Sequence, residues 1–80
     1  MIEVILYTKP GCHLCESVEQ VISRAKSRRN FHFTLRNITE NPDDFARYET
    51  EIPVVTINGK ESARHRMSYS EFVAALDAAV

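Results

Sequence analysis

The segment Thr8-Lys9-Pro10-Gly11-Cys12-His13-Leu14-Cys15 joins an apolar strand to an amphipathic helix and contains both cysteines of the chain. Before it, residues 2–7 are apolar on both alternating faces, which is typical of a strand that is covered on both sides. After it, residues 12–27 carry apolar side chains at helical spacing, namely Leu14, Val18, Val21, Ile22 and Ala25. The sequence therefore predicts that both cysteines lie in the first turn of a helix that follows an interior strand.

The middle of the chain predicts a second strand and a second helix. Residues 31–38 alternate between apolar and polar side chains, and those expected to point inward are Phe31, Phe33 and Leu35. Pro42 and the acidic residues after it indicate the first turn of a short helix, which is expected to end near residues 48–50.

The last third of the chain predicts a hairpin and a final helix. Residues 52–57 are apolar on both faces, so they predict a second interior strand. Asn58-Gly59 favours a tight hairpin turn, and the polar residues 61–66 are typical of an edge strand. Ser68 and Glu71 have the spacing of a capping box. The final helix is expected to bury an apolar stripe of Phe72, Val73, Leu76 and Val80.

These elements predict an α/β fold with the order βαβαββα, in a single domain that covers residues 1–80. The helical crossover makes the first two strands parallel, and the hairpin makes the last two antiparallel. Because the first and third strands have interior character, we expect a four-stranded mixed sheet in the order 2-1-3-4, with helices on both faces.

The composition excludes several classes of protein. The 80 residues carry 10 Lys+Arg and 11 Asp+Glu, and the net charge of −1 provides no field that would attract nucleic acid or an anionic membrane. No apolar run approaches the ~20 residues that a membrane-spanning helix needs. The N-terminus lacks the pattern of a targeting segment, so we expect a cytoplasmic protein, and we expect it to be a monomer.

Cys12 and Cys15 predict thiol–disulfide chemistry. A disulfide between them closes so short a loop that it would contribute only about 2 kcal/mol to stability, which disfavours a structural role. A thiol at a helix N-terminus faces unpaired N–H groups and the positive end of the dipole, which should lower its pKa below the ~8.5 of free cysteine. We expect the more exposed Cys12 to attack a disulfide and the deeper Cys15 to resolve the mixed disulfide.

Two other functions are compatible with the same cysteines. They could bind a metal ion or an iron–sulfur cluster, although two thiols supply only half of the ligands of a structural zinc and we predict no metal site. The fold could also be a non-catalytic interaction module with an inert thiol pair. His13, between the cysteines, is a candidate to stabilise the Cys12 thiolate when protonated, and the alternative is a solvated side chain.

The segment from Tyr7 to Cys15 resembles the active-site segment of glutaredoxins, and Ile52-Pro53-Val54 resembles the cis-proline motif of the thioredoxin-fold superfamily. The chain is most similar to the small glutaredoxin-like proteins of that superfamily. This resemblance implies a thioredoxin-like fold, a redox-active disulfide, and a role in electron transport and cell redox homeostasis. It also implies that Lys9 helps to hold a thiolate or a glutathione carboxylate. The Ile52–Pro53 bond would be cis beside Cys12, and the backbone of Ile52 would bind an extended substrate.

The resemblance also implies the reaction partners. The substrate would be a disulfide-containing protein or small molecule, and the reductant would be glutathione, as a co-substrate, or an enzyme similar to thioredoxin reductase. No tightly bound cofactor is expected. Typical glutaredoxins carry a Gly-Gly pair before the last helix, whereas this chain reads Ser62-Ala63-Arg64-His65-Arg66-Met67-Ser68 in that region. The dependence on glutathione therefore stays open.

Overall fold

All seven predicted elements form, in the predicted order, in a computed structural model that describes residues 1–80. The strands and helices are β1 (Glu3–Thr8), α1 (His13–Arg24), β2 (His32–Asn37), α2 (Pro42–Tyr48), β3 (Val54–Ile57), β4 (Lys60–Arg64) and α3 (Tyr69–Ala78). Single turns of 3₁₀ helix follow α1 at Ala25–Ser27 and precede α2 at Ile38–Glu40.

The four strands form one mixed sheet in the order β2-β1-β3-β4, which confirms the predicted topology. β1 is central because it pairs with β2 in parallel and with β3 antiparallel, so that Leu6 lies between Leu35 and Val55. β3 and β4 pair antiparallel with an irregularity between Val55 and Thr56. The turn between them has positive φ at both Asn58 (54°) and Gly59 (82°), as a two-residue type I′ hairpin requires.

The two faces of the sheet are covered unequally. On one face, α1 and α3 pack against the sheet and bury the larger core, whose fully buried members include Val4, Leu6, Ile22 and Phe72. Phe31 and Phe72 meet edge to face there, with ring centroids 5.7 Å apart. On the other face, the short α2 covers a small cluster of Ile38, Tyr48 and Val54.

Local sequence accounts for most of the helix ends. Asn41 caps α2 by accepting hydrogen bonds from the N–H groups of Asp43 and Asp44 at 3.0 and 3.1 Å. The predicted capping box at α3 is confirmed, with Ser68 and Glu71 each accepting from the other's backbone N–H at 2.8 to 3.1 Å. None of the three helices has the length and apolar character that crossing a bilayer would take.

Three side chains predicted to be buried are exposed instead. Leu14 is 57% exposed because it lies in the first turn of α1, beyond the part of the helix that packs on the sheet. Leu35 is 51% exposed because β2 is an edge strand whose end α1 does not cover. Val80 is 77% exposed because α3 ends at Ala78, before the predicted stripe is complete. The burial predicted for these three residues is therefore wrong.

Candidate active site around Cys12 and Cys15

Cys12 is the N-cap residue of α1. Its backbone is extended (φ −92°, ψ 103°), and its Sγ accepts a hydrogen bond from the N–H of Cys15 at 3.1 Å. Serine, threonine or aspartate usually occupies this position, where a side chain satisfies one of the unpaired N–H groups of the first turn. A sulfur held there lies at the positive end of the helix dipole, an environment that favours the thiolate over the thiol.

Cys12 and Cys15 form a disulfide, with their Cα atoms 5.2 Å apart. Cys12 is partly exposed, whereas Cys15 is only 2% exposed and packs under the first turn of α1. One sulfur of the pair is therefore open to an incoming molecule and the other is covered by the protein. This placement agrees with the predicted roles of attacking and resolving thiol, which stay predictions.

The loop from Thr8 to Gly11 carries the chain from the end of β1 into α1. Gly11 has φ +81°, a conformation that side chains other than glycine's rarely adopt. A Cβ at Gly11 would meet no atom within 4 Å, so the requirement for glycine here comes from backbone conformation and not from lack of space. Gly11 thereby sets the direction in which the chain enters the N-cap.

A cleft of about 310 Å³ opens beside Cys12, between the first turns of α1 and the end of β2. Lys9 lines it, and the role in holding a thiolate or a glutathione carboxylate that the resemblance implied stays a prediction. Three carboxylates and one exposed apolar side chain also line it, namely Glu16, Glu19, Glu40 and Leu35. Sequence reasoning missed this acidic lining because Glu40, in the turn after β2, comes near the glutamates of α1 only in the folded chain.

The Ile52–Pro53 peptide bond is cis, as the resemblance implied. β3 continues from it, and its Val54 pairs with Tyr7. In that register Pro53 lies opposite Thr8, where the loop to Cys12 begins. Pro53 is fully buried.

The backbone of Ile52 is only partly available to a substrate. Its N–H donates to the carbonyl of Tyr48 at 3.1 Å, whereas its carbonyl accepts no hydrogen bond within the chain. The expectation that this backbone binds an extended substrate is therefore restricted to one group, the carbonyl. The N–H is used because residues 49–52 continue tightly from the end of α2.

The region that lacks the Gly-Gly pair nevertheless contains a left-handed residue. His65 has φ 74°, and its N–H donates to the carbonyl of Pro53 at 2.8 Å. Its ring lies 3.1 Å from the carboxylate of Glu51, which Arg64 also contacts at 3.0 Å. Histidine is among the side chains enriched at positive φ, but nothing in the sequence pattern singles out this position.

His13 makes no hydrogen bond to the sulfur that it was predicted to influence. Its side chain is 95% exposed, and its Nδ1 lies 3.6 Å from the carboxylate of Glu16. No hydrogen bond joins the ring to the Sγ of Cys12, whose hydrogen-bond partner is the Cys15 N–H. The arrangement therefore fits the solvated alternative better than a direct contact with the thiolate.

A polar cluster under α2 was also missed from the sequence. Asp44, only 8% exposed, accepts from the Nε of Arg36 at 2.6 Å, which links α2 to β2. The rings of Tyr7 and Tyr48 lie 4.5 Å apart beside this pair. Burial, and to a smaller extent the neighbouring Tyr48, raises the pKa of Tyr7 above its ordinary value. Tyr7 of this cluster directly precedes Thr8, where the loop to Cys12 begins.

The structure offers no obvious metal site. No three side chains of His, Cys, Asp or Glu converge in an arrangement that could hold a metal ion. The cysteines are bonded to each other, and the three histidines, His13, His32 and His65, each lie beside a glutamate instead.

Solved structures with the same fold support the architecture described above. A structural-genomics target protein from X. campestris is 26% identical and superimposes with a TM-score of 0.79, over 96% of this chain and 99% of that one. A protein from Nitrosomonas europaea is 22% identical with a TM-score of 0.79, over 92% of this chain and 89% of that one. Thioredoxin 1 from Thermosipho africanus is 18% identical with a TM-score of 0.71, over 95% and 91% of the two chains.

The fold is therefore that of the thioredoxin superfamily, with a Cys-x-x-Cys disulfide at the start of α1. A family model described as glutaredoxin-like domain (DUF836) matches residues 3–77, which is nearly the whole chain. The chain belongs to this family of glutaredoxin-like domains.

Proposed function

We propose that the protein is a thiol–disulfide oxidoreductase in which Cys12 attacks and Cys15 resolves. The observation that carries this proposal is the unequal exposure of two bonded sulfurs at a helix N-terminus. The outer sulfur is reachable from a cleft and accepts the Cys15 N–H at 3.1 Å, while the inner one is buried. An inert structural disulfide would have no need of a cleft at one of its sulfurs.

The reduced protein would act in two exchange steps. The Cys12 thiolate attacks one sulfur of a substrate disulfide, which forms a mixed disulfide and releases the other substrate sulfur as a thiolate. The Cys15 thiolate then attacks the Sγ of Cys12, which closes the Cys12–Cys15 disulfide and releases the second substrate thiolate. Two electrons pass to the substrate, and the two protons lost by the cysteines end on the released thiols.

The Cys15 N–H contributes to both steps. It donates to the Sγ of Cys12 in the disulfide, and it can stabilise the same atom as a thiolate when Cys12 attacks or leaves. A two-electron reductant, either two thiol molecules or one dithiol, must reopen the disulfide after each turnover. Glutathione and an enzyme similar to thioredoxin reductase are the two candidate sources of those electrons.

The experiment is reduction of a neutral model disulfide, hydroxyethyl disulfide, by the wild type and by single cysteine variants. We expect Cys12→Ser to abolish turnover and Cys15→Ser to accumulate a mixed disulfide that mass spectrometry detects. Ser17→Ala, on an exposed position of the same helix, is the matched control and should turn over like the wild type. Turnover by Cys12→Ser at the parent rate would contradict the proposal.

The same assay identifies the reductant. Turnover is coupled either to glutathione with glutathione reductase or to thioredoxin reductase, each with its nicotinamide cofactor. The chain lacks the Gly-Gly pair of typical glutaredoxins, and the N–H of Ile52 already donates to Tyr48. Both features disfavour glutathione, so we expect the thioredoxin reductase system to support the faster rate.

A further inference from the structure

We propose that the cleft beside Cys12 selects disulfides flanked by cationic groups and disfavours anionic ones such as oxidised glutathione. This inference rests on the proposed function and names its substrate class. Three carboxylates and a single ammonium group line the cleft, so its lining is net negative at neutral pH. The whole chain is nearly neutral, with a net charge of −1, so this charge is a property of the cleft and not of the protein.

Most of this negative charge is not neutralised within the chain. Glu19 and Glu40 make no ion pair, and Glu16 has only the exposed ring of His13, 3.6 Å away. Lys9, the one cation in the lining, also makes no ion pair with them. Glu19 is half-buried, so water and salt screen its charge less than that of a fully exposed carboxylate.

The position of the carboxylates matters because they lie beside the sulfur that the substrate must approach. Glu16 and Glu19 are one helical turn apart on α1, and Glu40, in the turn that follows β2, lines the same cleft. A disulfide that enters this cleft to reach Cys12 therefore meets a lining that contains all three carboxylates. Leu35, 51% exposed in the same lining, offers an apolar contact to a side chain of the substrate.

Glutathione is a poor match for this lining. Each half of oxidised glutathione carries more carboxylates than amino groups, so it meets like charge, and only Lys9 can oppose it. A disulfide with a lysine, an arginine or a simple ammonium group beside it meets opposite charge instead. Such charge complementarity acts mainly on encounter and specificity, and it weakens as salt is added.

The test compares kcat/KM for cystamine, whose two ends are ammonium groups, with kcat/KM for oxidised glutathione. The ratio of these two values is the readout. Removal of negative charge near Cys12 changes the reactivity of its thiolate toward both substrates, and this common change cancels in the ratio. We expect the wild-type ratio to exceed one and to fall about threefold to tenfold in the triple variant Glu16→Gln, Glu19→Gln, Glu40→Gln. Added salt should lower the wild-type ratio as well.

Two further variants make the comparison specific. Glu3→Gln removes one negative charge, which is paired with His32, at the opposite end of β1, about 17 Å along the strand from Thr8, and should leave the ratio unchanged. Lys9→Gln removes the only cation of the lining and should raise the ratio. A pair of peptide disulfides, one flanked by lysine and one by glutamate, shows whether the preference extends to polypeptides or is confined to small molecules.

The outcomes separate this inference from the function on which it rests. One set of outcomes would overturn the charge selection alone. In these outcomes hydroxyethyl disulfide is turned over and the turnover depends on Cys12, but the wild type does not prefer cystamine, or the triple variant prefers it as strongly as the wild type does. Absence of turnover with every disulfide would overturn the proposed function and this inference with it. Circular dichroism of the triple variant checks that its fold is intact.

Discussion

The backbone N–H of His65 donates to the carbonyl of Pro53 at 2.8 Å, which ties the end of β4 to the start of β3. His65 can do this because its backbone is left-handed, with φ 74°. The ring then reaches the carboxylate of Glu51 on the other side of the cis peptide bond, at 3.1 Å. A single residue thus holds both sides of the segment that faces the Cys12 loop.

The left-handed backbone at position 65 predicts a specific order of tolerance to substitution. His65→Gly removes the steric cost of positive φ while losing an exposed ion pair, so we expect unfolding free energies within about 0.5 kcal/mol of the wild type. His65→Val places a β-branched side chain at positive φ and should cost about 1–2 kcal/mol. Urea unfolding measures both. Ser62→Val, on the extended part of β4, is the control, and equal costs for the valine and glycine variants at position 65 would contradict the argument.

We expect the left-handed backbone of Gly11 to affect both the stability of the protein and the accessibility of Cys12. Gly11→Ala should lower the unfolding free energy by about 1 kcal/mol, because alanine is disfavoured at φ +81° although no atom obstructs its Cβ. Since Gly11 precedes the N-cap, the same substitution should also slow alkylation of Cys12 in the reduced protein. Ser17→Ala is the control for both measurements, and an unaffected Gly11→Ala variant would show that the loop can re-form without the left-handed residue.

We expect that replacing Thr56 by valine stabilises the protein. Its hydroxyl is buried in β3 and has no hydrogen-bond partner. Thr56→Val keeps the shape of the side chain and removes an unsatisfied polar group, so we expect the unfolding free energy to rise by about 1 kcal/mol. Thr34→Val, at an exposed position of β2, should change stability much less. A loss of stability in Thr56→Val would indicate that the hydroxyl has a partner in solution.

We expect Glu71 to stabilise the fold in a way that depends on pH. The hydrogen bonds from the backbone N–H and the side chain of Ser68 lower the pKa of this carboxyl below its ordinary value of 4.5. Because the folded-state pKa is lowered, the stabilisation is present above pH 4.5 and is lost as the pH falls through the lower, folded-state pKa.

The corresponding experiment compares Glu71→Gln with the wild type in thermal unfolding between neutral pH and about pH 3. We expect the variant to be less stable at neutral pH and the difference to shrink as the pH falls below the ordinary value. Glu49→Gln, whose exposed side chain makes no hydrogen bond or ion pair, is the matched control. A difference that stays constant down to the lowest pH would mean that the charge of Glu71 does not contribute.

Much of the fold could be predicted because its signals are local. Apolar periodicity, Asn58-Gly59 and the Ser68–Glu71 capping box each act within a few residues, and together they determine the order of elements and the topology of the sheet. The errors lie where burial depends on a neighbouring element. Leu35 has the pattern of an inward-facing residue, but α1 does not extend over the end of β2.

The candidate site also has one part that local sequence reveals and another that depends on packing between elements. Cys12 and Cys15 are recognisable from their spacing and from the strand and helix around them. The acidic cleft cannot be recognised from the sequence, because Glu40 lies twenty-one residues beyond Glu19 and joins it only in the folded chain. The ion pair of Arg36 with Asp44 joins β2 to α2, and the contact of His65 with Pro53 joins β4 to β3, so both depend on how neighbouring elements pack.

The unequal cores on the two faces of the sheet have a consequence for motion. Eleven buried residues hold α1 and α3 in place, whereas three hold α2. Local opening costs least where least apolar surface is buried, so amide hydrogens of α2 should exchange with solvent well before those of α1. Because Tyr48 at the end of α2 binds the Ile52 N–H, such an opening would release that N–H as well. The protein could thus expose a second backbone group to a substrate without unfolding its main core.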